Sequence, residues 1–399
     1  MNLSDFLKKQ SGASGIERIG FEPEILEHFD ATVMDVCAGA KVVVVTDMTY
    51  RDYVENRLLK SLSLHGVEAS YCLCVKSVES YAAQITNAIG ATSGAALIVS
   101  LGDESLLRAA RVSGVKAGIA KAMAVLKDMP SRTLFNEVSA ERGCSIVAMY
   151  FDLAQIRTMS PGDWREKTAS LEIYADAFLI EAHLCEALGR PVTRGVKTAI
   201  GEIESLRGVT ATSDETVSEL CEGYAWLAAA RAALGYDSSL DFVMAYDEAC
   251  SQHVPTTVYD HAAMLAHLID VFVEVESLEI DPDDCASHQL PAEIYKRSVN
   301  QILIGDEVDR RWLSCLDESY EARQFVRSRV HALVDAWDEL CESLRIRGAM
   351  IHGVLDDLGI ETNDESLRDA WSHAAKLANA NSFVRTMDVL RLLEGALFE

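Results

Sequence analysis

KVVVVTD (residues 41–47) is followed after a short gap by RDYVENRLLKSLSLHG (51–66). Four consecutive valines with no polar residue among them suit a strand buried on both faces, as strands of parallel sheets are. The second segment places Tyr53, Leu58 and Leu62 at helical spacing and stops at Gly66. The alternation then repeats. VEASYCLCV (67–75) reads as a strand, VESYAAQITNAIGA (78–91) as a helix, AALIVSLG (95–102) as a strand, and GCSIVAMYFDL (143–153) resumes the strand pattern. Strands alternating with helices imply βαβ units and a doubly wound parallel sheet.

From about Pro161 the pattern changes. EKTASLEIYADAFLIEAHLCEALG (166–189), SDETVSELCEGYAWLAAARAALG (213–235) and DHAAMLAHLIDVFVEVESL (260–278) all carry long helical periodicity, and the chain has only 7 prolines. The expectation is an α/β class protein of two domains. Residues 1–158 form a doubly wound, Rossmann-like domain of the dinucleotide-binding type, and residues 159–399 an all-helical domain.

The composition narrows the function. With 399 residues and 49% hydrophobic content the chain can fill two cores. Its net charge of -26 repels nucleic acid and anionic membrane surfaces. The 10 cysteines form no C-x-x-C pair, so neither a zinc ribbon nor a thioredoxin-like motif is present. Free buried thiols in a reducing compartment fit that pattern. The opening MNLSDFLKKQSGASG has no apolar run of signal-peptide length, and no segment reaches the roughly 18 apolar residues of a membrane span. A cytoplasmic protein is expected, with a small-molecule substrate and, as macromolecular partner, at most a second copy of itself.

ALIVSLGDESLLRAARVSG (96–114) runs from a strand through one glycine into a helix. A phosphate-binding turn needs backbone N–H groups that approach the ligand closely at a helix N-terminus. Here Gly102 stands among Ser100, Leu101, Asp103 and Glu104. The two acids suit the helix dipole, but they compete with a pyrophosphate for its positive end.

The order of elements resembles the superfamily of sn-glycerol-1-phosphate dehydrogenases, iron-containing alcohol dehydrogenases and dehydroquinate synthases. The likeness begins at VVVVTDMTYRDYVENRLLKSLSLHGVEA (42–69) and continues through LIVSLGDESLLRAARVSG (97–114) and YFDLAQIRTMSPGDWREKTASLEIYADAF (150–178). It closes on LGIETNDESLRDAWSHAAKLANANSFVRTMDVLRLLEGAL (358–397). The resemblance implies NAD or NADP as cofactor, with Asp47 on the adenosine ribose and Thr49, Ser100, Gly102 and Asp103 around it. The family's Gly-rich turn is reduced here to Ser100-Leu101-Gly102-Asp103, and the Asp and Lys of its following helix fall near Leu106 and Ala109.

The resemblance also implies Zn or Fe held by one acid and two histidines, with a position left open to polarise the substrate oxygen. Counting from Pro161 places the acid at Glu172, and an alignment through ADAFLIEA places it at Asp176. These share one helix face. VYDHAAMLAHLI (258–269) offers His261 as a ligand. The other histidine position falls on Asp241-Phe242 in SSLDFVMAY, which leaves His253 in SQHVPTT as the nearby substitute.

Two functions stay open at this point. One is a metal- and NAD(P)-dependent dehydrogenase passing hydride between nicotinamide and a small polyol phosphate or alcohol. The other is a non-catalytic homologue with altered sites, kept as a binding or partner protein.

Overall fold

A computed structural model describes the chain except residues 1, 11–15, 76–79, 91–93, 133, 135–142, 191, 212, 251–256, 306–311, 313–314, 316–318, 361–364 and 399. Six strands, β1 (Arg18–Glu22), β2 (Val42–Thr46), β3 (Ala69–Leu73), β4 (Leu97–Gly102), β5 (Lys121–Leu126) and β6 (Ser145–Asp152), form one sheet. The order is β1-β6-β5-β4-β2-β3, and every pairing is parallel. Every residue of β2 and β4 is buried, which is why both read as unbroken apolar runs.

Helices cover both faces of the sheet. On one, Val42, Val44, Leu97 and Val99 pack with Ile25, Phe29 and Val33 of helix Ile25–Cys37 and with Val54, Leu58 and Leu62. On the other lies helix Glu104–Ala117. A Cβ at its Gly114 would stand 3.3 Å from Cys144 Sγ and 3.8 Å from Ile98 Cγ2, so glycine sets how closely that helix sits on the sheet. Gly66 ends the segment after β2 with φ +73°, a conformation glycine adopts without strain.

The strands expected from sequence are present, and β1 and β5 join them. After β6 the described residues contain helices and no strand. Two compact units result. One comprises Met1–Thr168 and Thr198–Ala233, the other Ala169–Lys197 and Leu234–Glu399. The division expected after residue 158 follows chain order, whereas the compact units do not, because residues 198–233 rejoin the first unit. Among the described residues the cysteines form no disulfide. No helix among the described residues is long and apolar enough to cross a membrane.

Candidate functional site

In the sheet, β2 connects to β3 on one side and the chain then crosses to β4 on the other. The carboxyl ends of β2 and β4 therefore flank the switch point at which open α/β sheets bind ligands. Asp47 stands just after β2 and Gly102 ends β4, as the sequence reading places them. Asp47 is 7% exposed. Its Oδ2 lies 2.5 Å from Lys127 Nζ, and its Oδ1 accepts a 2.9 Å hydrogen bond from the Thr49 N–H. Lys127 also donates to Thr49 Oγ1 at 3.2 Å. Burial pushes the Lys127 ammonium down, Asp47 pushes it up, and the balance is upward.

The turn after β4 is filled from within. A Cβ on Gly102 would meet Leu106 Cδ2 at 2.7 Å and Asp47 Oδ2 at 3.2 Å. Asp103 caps helix Glu104–Ala117, its carboxylate accepting from the Leu106 N–H at 2.8 Å. Glu104 accepts from the Ser131 N–H and hydroxyl at 2.7 and 2.6 Å. Ser100 is buried within β4. A pyrophosphate entering this turn faces two carboxylates at the helix start, so these residues do not fit a dinucleotide phosphate. Beyond the turn, Thr49, Lys127, Asp128, Gln155 and Lys167 border an open cavity of about 420 Å³.

In the helical unit, Glu172 and Asp176 lie one turn apart on helix Pro161–Ala187. Glu172 is half-buried, whereas Asp176 is fully buried. Asp176 Oδ1 is 3.3 Å from Nη1 of Arg347, on helix Trp337–Leu358. His261 opens helix Val258–Glu274, whose start is fixed by a reciprocal cap between Thr257 and Asp260. Its imidazole is 1% exposed, and both ring nitrogens are engaged. Trp371 Nε1 is 3.1 Å from Nδ1, and Asp247 Oδ2 is 3.3 Å from Nε2. An indole N–H only donates, so Nδ1 accepts and the ring proton sits on Nε2, toward Asp247.

A metal needs a free imidazole lone pair, and the one on Nδ1 is held by Trp371. It also needs a carboxylate without a cation already on it, and Asp176 carries Arg347. Among the described residues no group of three or more His, Cys, Asp or Glu could hold a metal ion. His253 lies outside the described residues. The donor set present therefore does not fit the catalytic metal that the resemblance implied. No motif spacing marks Asp247, Trp371 or Arg347 as partners of the candidate ligands.

One further buried acid on the long helix escaped the sequence reading. Glu181 accepts from the Ser239 N–H and hydroxyl at 2.7 and 2.6 Å and from the Phe383 N–H at 2.9 Å. It thereby ties the starts of helices Ser239–Cys250 and Phe383–Val389 to its own helix. Burial pushes its carboxyl up to about 7 in spite of those donors.

No protein-family profile matches the sequence, and no curated protein matches it. Solved structures do match its fold. A 1,3-propanediol oxidoreductase superposes with a TM-score of 0.51 at 13% identity, over 96% of this chain and 98% of that one. A probable glycerol dehydrogenase from Sinorhizobium meliloti 1021 gives 0.51 at 12% identity, over 96% and 97%. Maleylacetate reductase from Rhizobium sp. strain MTP-10005 gives 0.50 at 16% identity, over 95% of each chain. The chain thus shares the fold of these three proteins, at a sequence distance where only the fold is shared in evidence.

Proposed function

We propose that the chain is a divergent relative of the alcohol, glycerol and propanediol dehydrogenases that acts as a binding or partner protein. In this reading its metal and dinucleotide positions are closed by its own side chains. The observation that carries it is the Asp176–Arg347 pair, in which a guanidinium neutralises the carboxylate that would otherwise hold a cation. The engaged imidazole of His261 supports the same reading.

The second reading is a dehydrogenase of the glycerol-1-phosphate type, using NAD or NADP with Zn or Fe. It is favoured by Asp47, an acid at the strand end beside the switch point, where dinucleotide folds hold ribose.

Two titrations separate them. Chelator-stripped full-length protein is titrated with Zn by calorimetry, alongside His261→Ala, and with NADH by fluorescence, alongside Asp47→Ala. The first reading expects no tight one-to-one Zn binding and no saturable NADH signal. Tight Zn binding lost in His261→Ala, or NADH binding lost in Asp47→Ala, overturns it and establishes the second.

A further inference from the structure

Two cysteines stand together on β3, the outermost strand at one edge of the sheet. Cys72 lies within β3 and Cys74 just past its end, so the two side chains leave the same face. Their sulfurs are 3.6 Å apart, in direct contact. The backbone that carries them is held on both sides. The Cys74 N–H donates to the Thr46 carbonyl at 2.7 Å and so continues the pairing of β3 with β2. From helix Tyr81–Gly90 the Gln84 side-chain amide clamps Val75, accepting from its N–H at 3.1 Å and donating to its carbonyl at 3.0 Å. Cys72 Sγ also lies 3.6 Å from the Gln84 carbonyl oxygen.

The two sulfurs differ in their surroundings. Cys72 is half-buried, whereas Cys74 is 1% exposed. The hydrogen bond from Cys74 holds the Cys72 thiol below its ordinary range, against the effect of burial. The Cys74 thiol is pushed up by that same bond, by burial and by the negative charges of Cys72 and Asp47. A thiolate in contact with a thiol is the pairing that dithiol oxidation uses. A soft metal ion needs both sulfurs ionised, which burial and Asp47 oppose.

We propose that Cys72 and Cys74 form a reversible disulfide on reaction with a hydroperoxide, Cys72 attacking the peroxide and Cys74 closing the bridge. Cys72 Sγ takes one oxygen of hydrogen peroxide as the O–O bond breaks, giving a sulfenic acid. The departing hydroxide recovers the proton that Cys72 had lost and leaves as water. Cys74 Sγ then attacks the sulfenic sulfur. The S–S bond forms, the S–O bond breaks, and the second hydroxide leaves as water with the Cys74 proton. Two thiols are oxidised to one disulfide, and the peroxide is reduced to two waters.

Bridging closes the sulfurs from 3.6 Å to about 2.05 Å. Residues two apart close a small ring that gains little chain entropy, so the bond is readily reduced again and does not serve as a structural staple. Neither reading of the function given above uses a thiol, so the proposal stands apart from both.

The test is mass spectrometry of the full chain, reduced, freed of reductant and exposed to hydrogen peroxide for increasing times. Remaining thiols are alkylated in denaturant before digestion with trypsin. Residues 61–76, SLSLHGVEASYCLCVK, form one tryptic peptide that holds both cysteines and no other. The expected product is this peptide unalkylated and lighter by two hydrogen atoms, with dithiothreitol restoring both thiols. It should form at least about tenfold faster than the half-buried Cys250 and Cys315 oxidise. In Cys74→Ser, Cys72 should stop at the sulfenic acid and give a dimedone adduct. In Cys72→Ser, Cys74 should oxidise at least about tenfold more slowly than Cys72 does in the parent. A parent peptide that keeps both thiols under treatment that fully oxidises glutathione in a parallel tube overturns the proposal. So does bridging no faster than the oxidation of Cys250 and Cys315, or a sulfinic acid at Cys72 with no bridge. A Cys72→Ser variant that oxidises at Cys74 as fast as the parent bridges overturns the assignment of the attacking sulfur. The parent digest decides the bridge by itself should either variant fail to fold.

Discussion

Arg347→Met removes the cation from a fully buried carboxylate and so measures what that guanidinium does. At 3.3 Å, with an effective dielectric of about 20, the Asp176–Arg347 attraction is on the order of 5 kcal/mol. The variant cannot lose all of that, because Asp176 can protonate. At pH 7 neutralising an ordinary aspartate costs about 4 kcal/mol, and that sets the ceiling. The expected loss is therefore about 3–4 kcal/mol, in the range found when one partner of a buried pair is removed.

The loss depends on pH with a definite sign. Without that guanidinium the buried Asp176 carboxylate is less favoured in the folded variant than in the folded parent, so the deficit grows as pH rises. At pH 5 the protonation ceiling falls to about 1.5 kcal/mol, and the deficit falls with it. Urea denaturation of the full-length protein at pH 5, 6 and 7 reads this directly. Asp176→Asn in the Arg347→Met background should recover most of the stability. An Arg347→Met variant within about 0.5 kcal/mol of the parent at pH 7, the scatter of ordinary surface changes, refutes the argument. So does a deficit that does not vary with pH.

Glu181→Gln tests the second buried acid. Its carboxyl is raised to about 7 in the fold, so the native state holds a proton that the unfolded chain releases near pH 4.5. Stability contributed this way is present below about pH 4.5 and lost as pH rises toward 7, by about 1.4 kcal/mol per unit. Denaturation curves of the parent should show that decline, and those of Glu181→Gln should lack it. Trp371→Phe leaves His261 Nδ1 buried without its donor and should cost about 1–3 kcal/mol, read from the denaturation midpoint. Gly102→Ala drives a methyl to 2.7 Å from Leu106 Cδ2 and 3.2 Å from Asp47 Oδ2. It should cost about 1–3 kcal/mol by overpacking, and a neutral result means that the turn has open space after all.

Much of the architecture is visible in the residues themselves. Four valines in a row leave no wet face, so β2 can only be buried on both sides. The long periodic segments after Pro161 likewise have no period-two pattern to compete with a helix. β1 and β5 stayed hidden for identifiable reasons. RIGFE is a half-buried edge strand interrupted by glycine, and KAMAVL carries two alanines in an apolar run that a buried helix could equally use.

The site divides in the same way. Sequence placed Asp47 at a strand end, Gly102 in the turn, His261 on an apolar helix face, and an acid at Glu172 or Asp176. Tertiary structure chose what each does. It buried Asp176 against Arg347, 171 positions on, and brought Lys127 to Asp47 from 80 positions away. It set the proton of His261 through Trp371, 110 positions distant. Periodicity and strand burial depend on neighbours along the chain, so they can be read from it. The counter-ion of a carboxylate and the tautomer of an imidazole depend on the side chain that folding carries to within about 3 Å, where hydrogen bonds and ion pairs act.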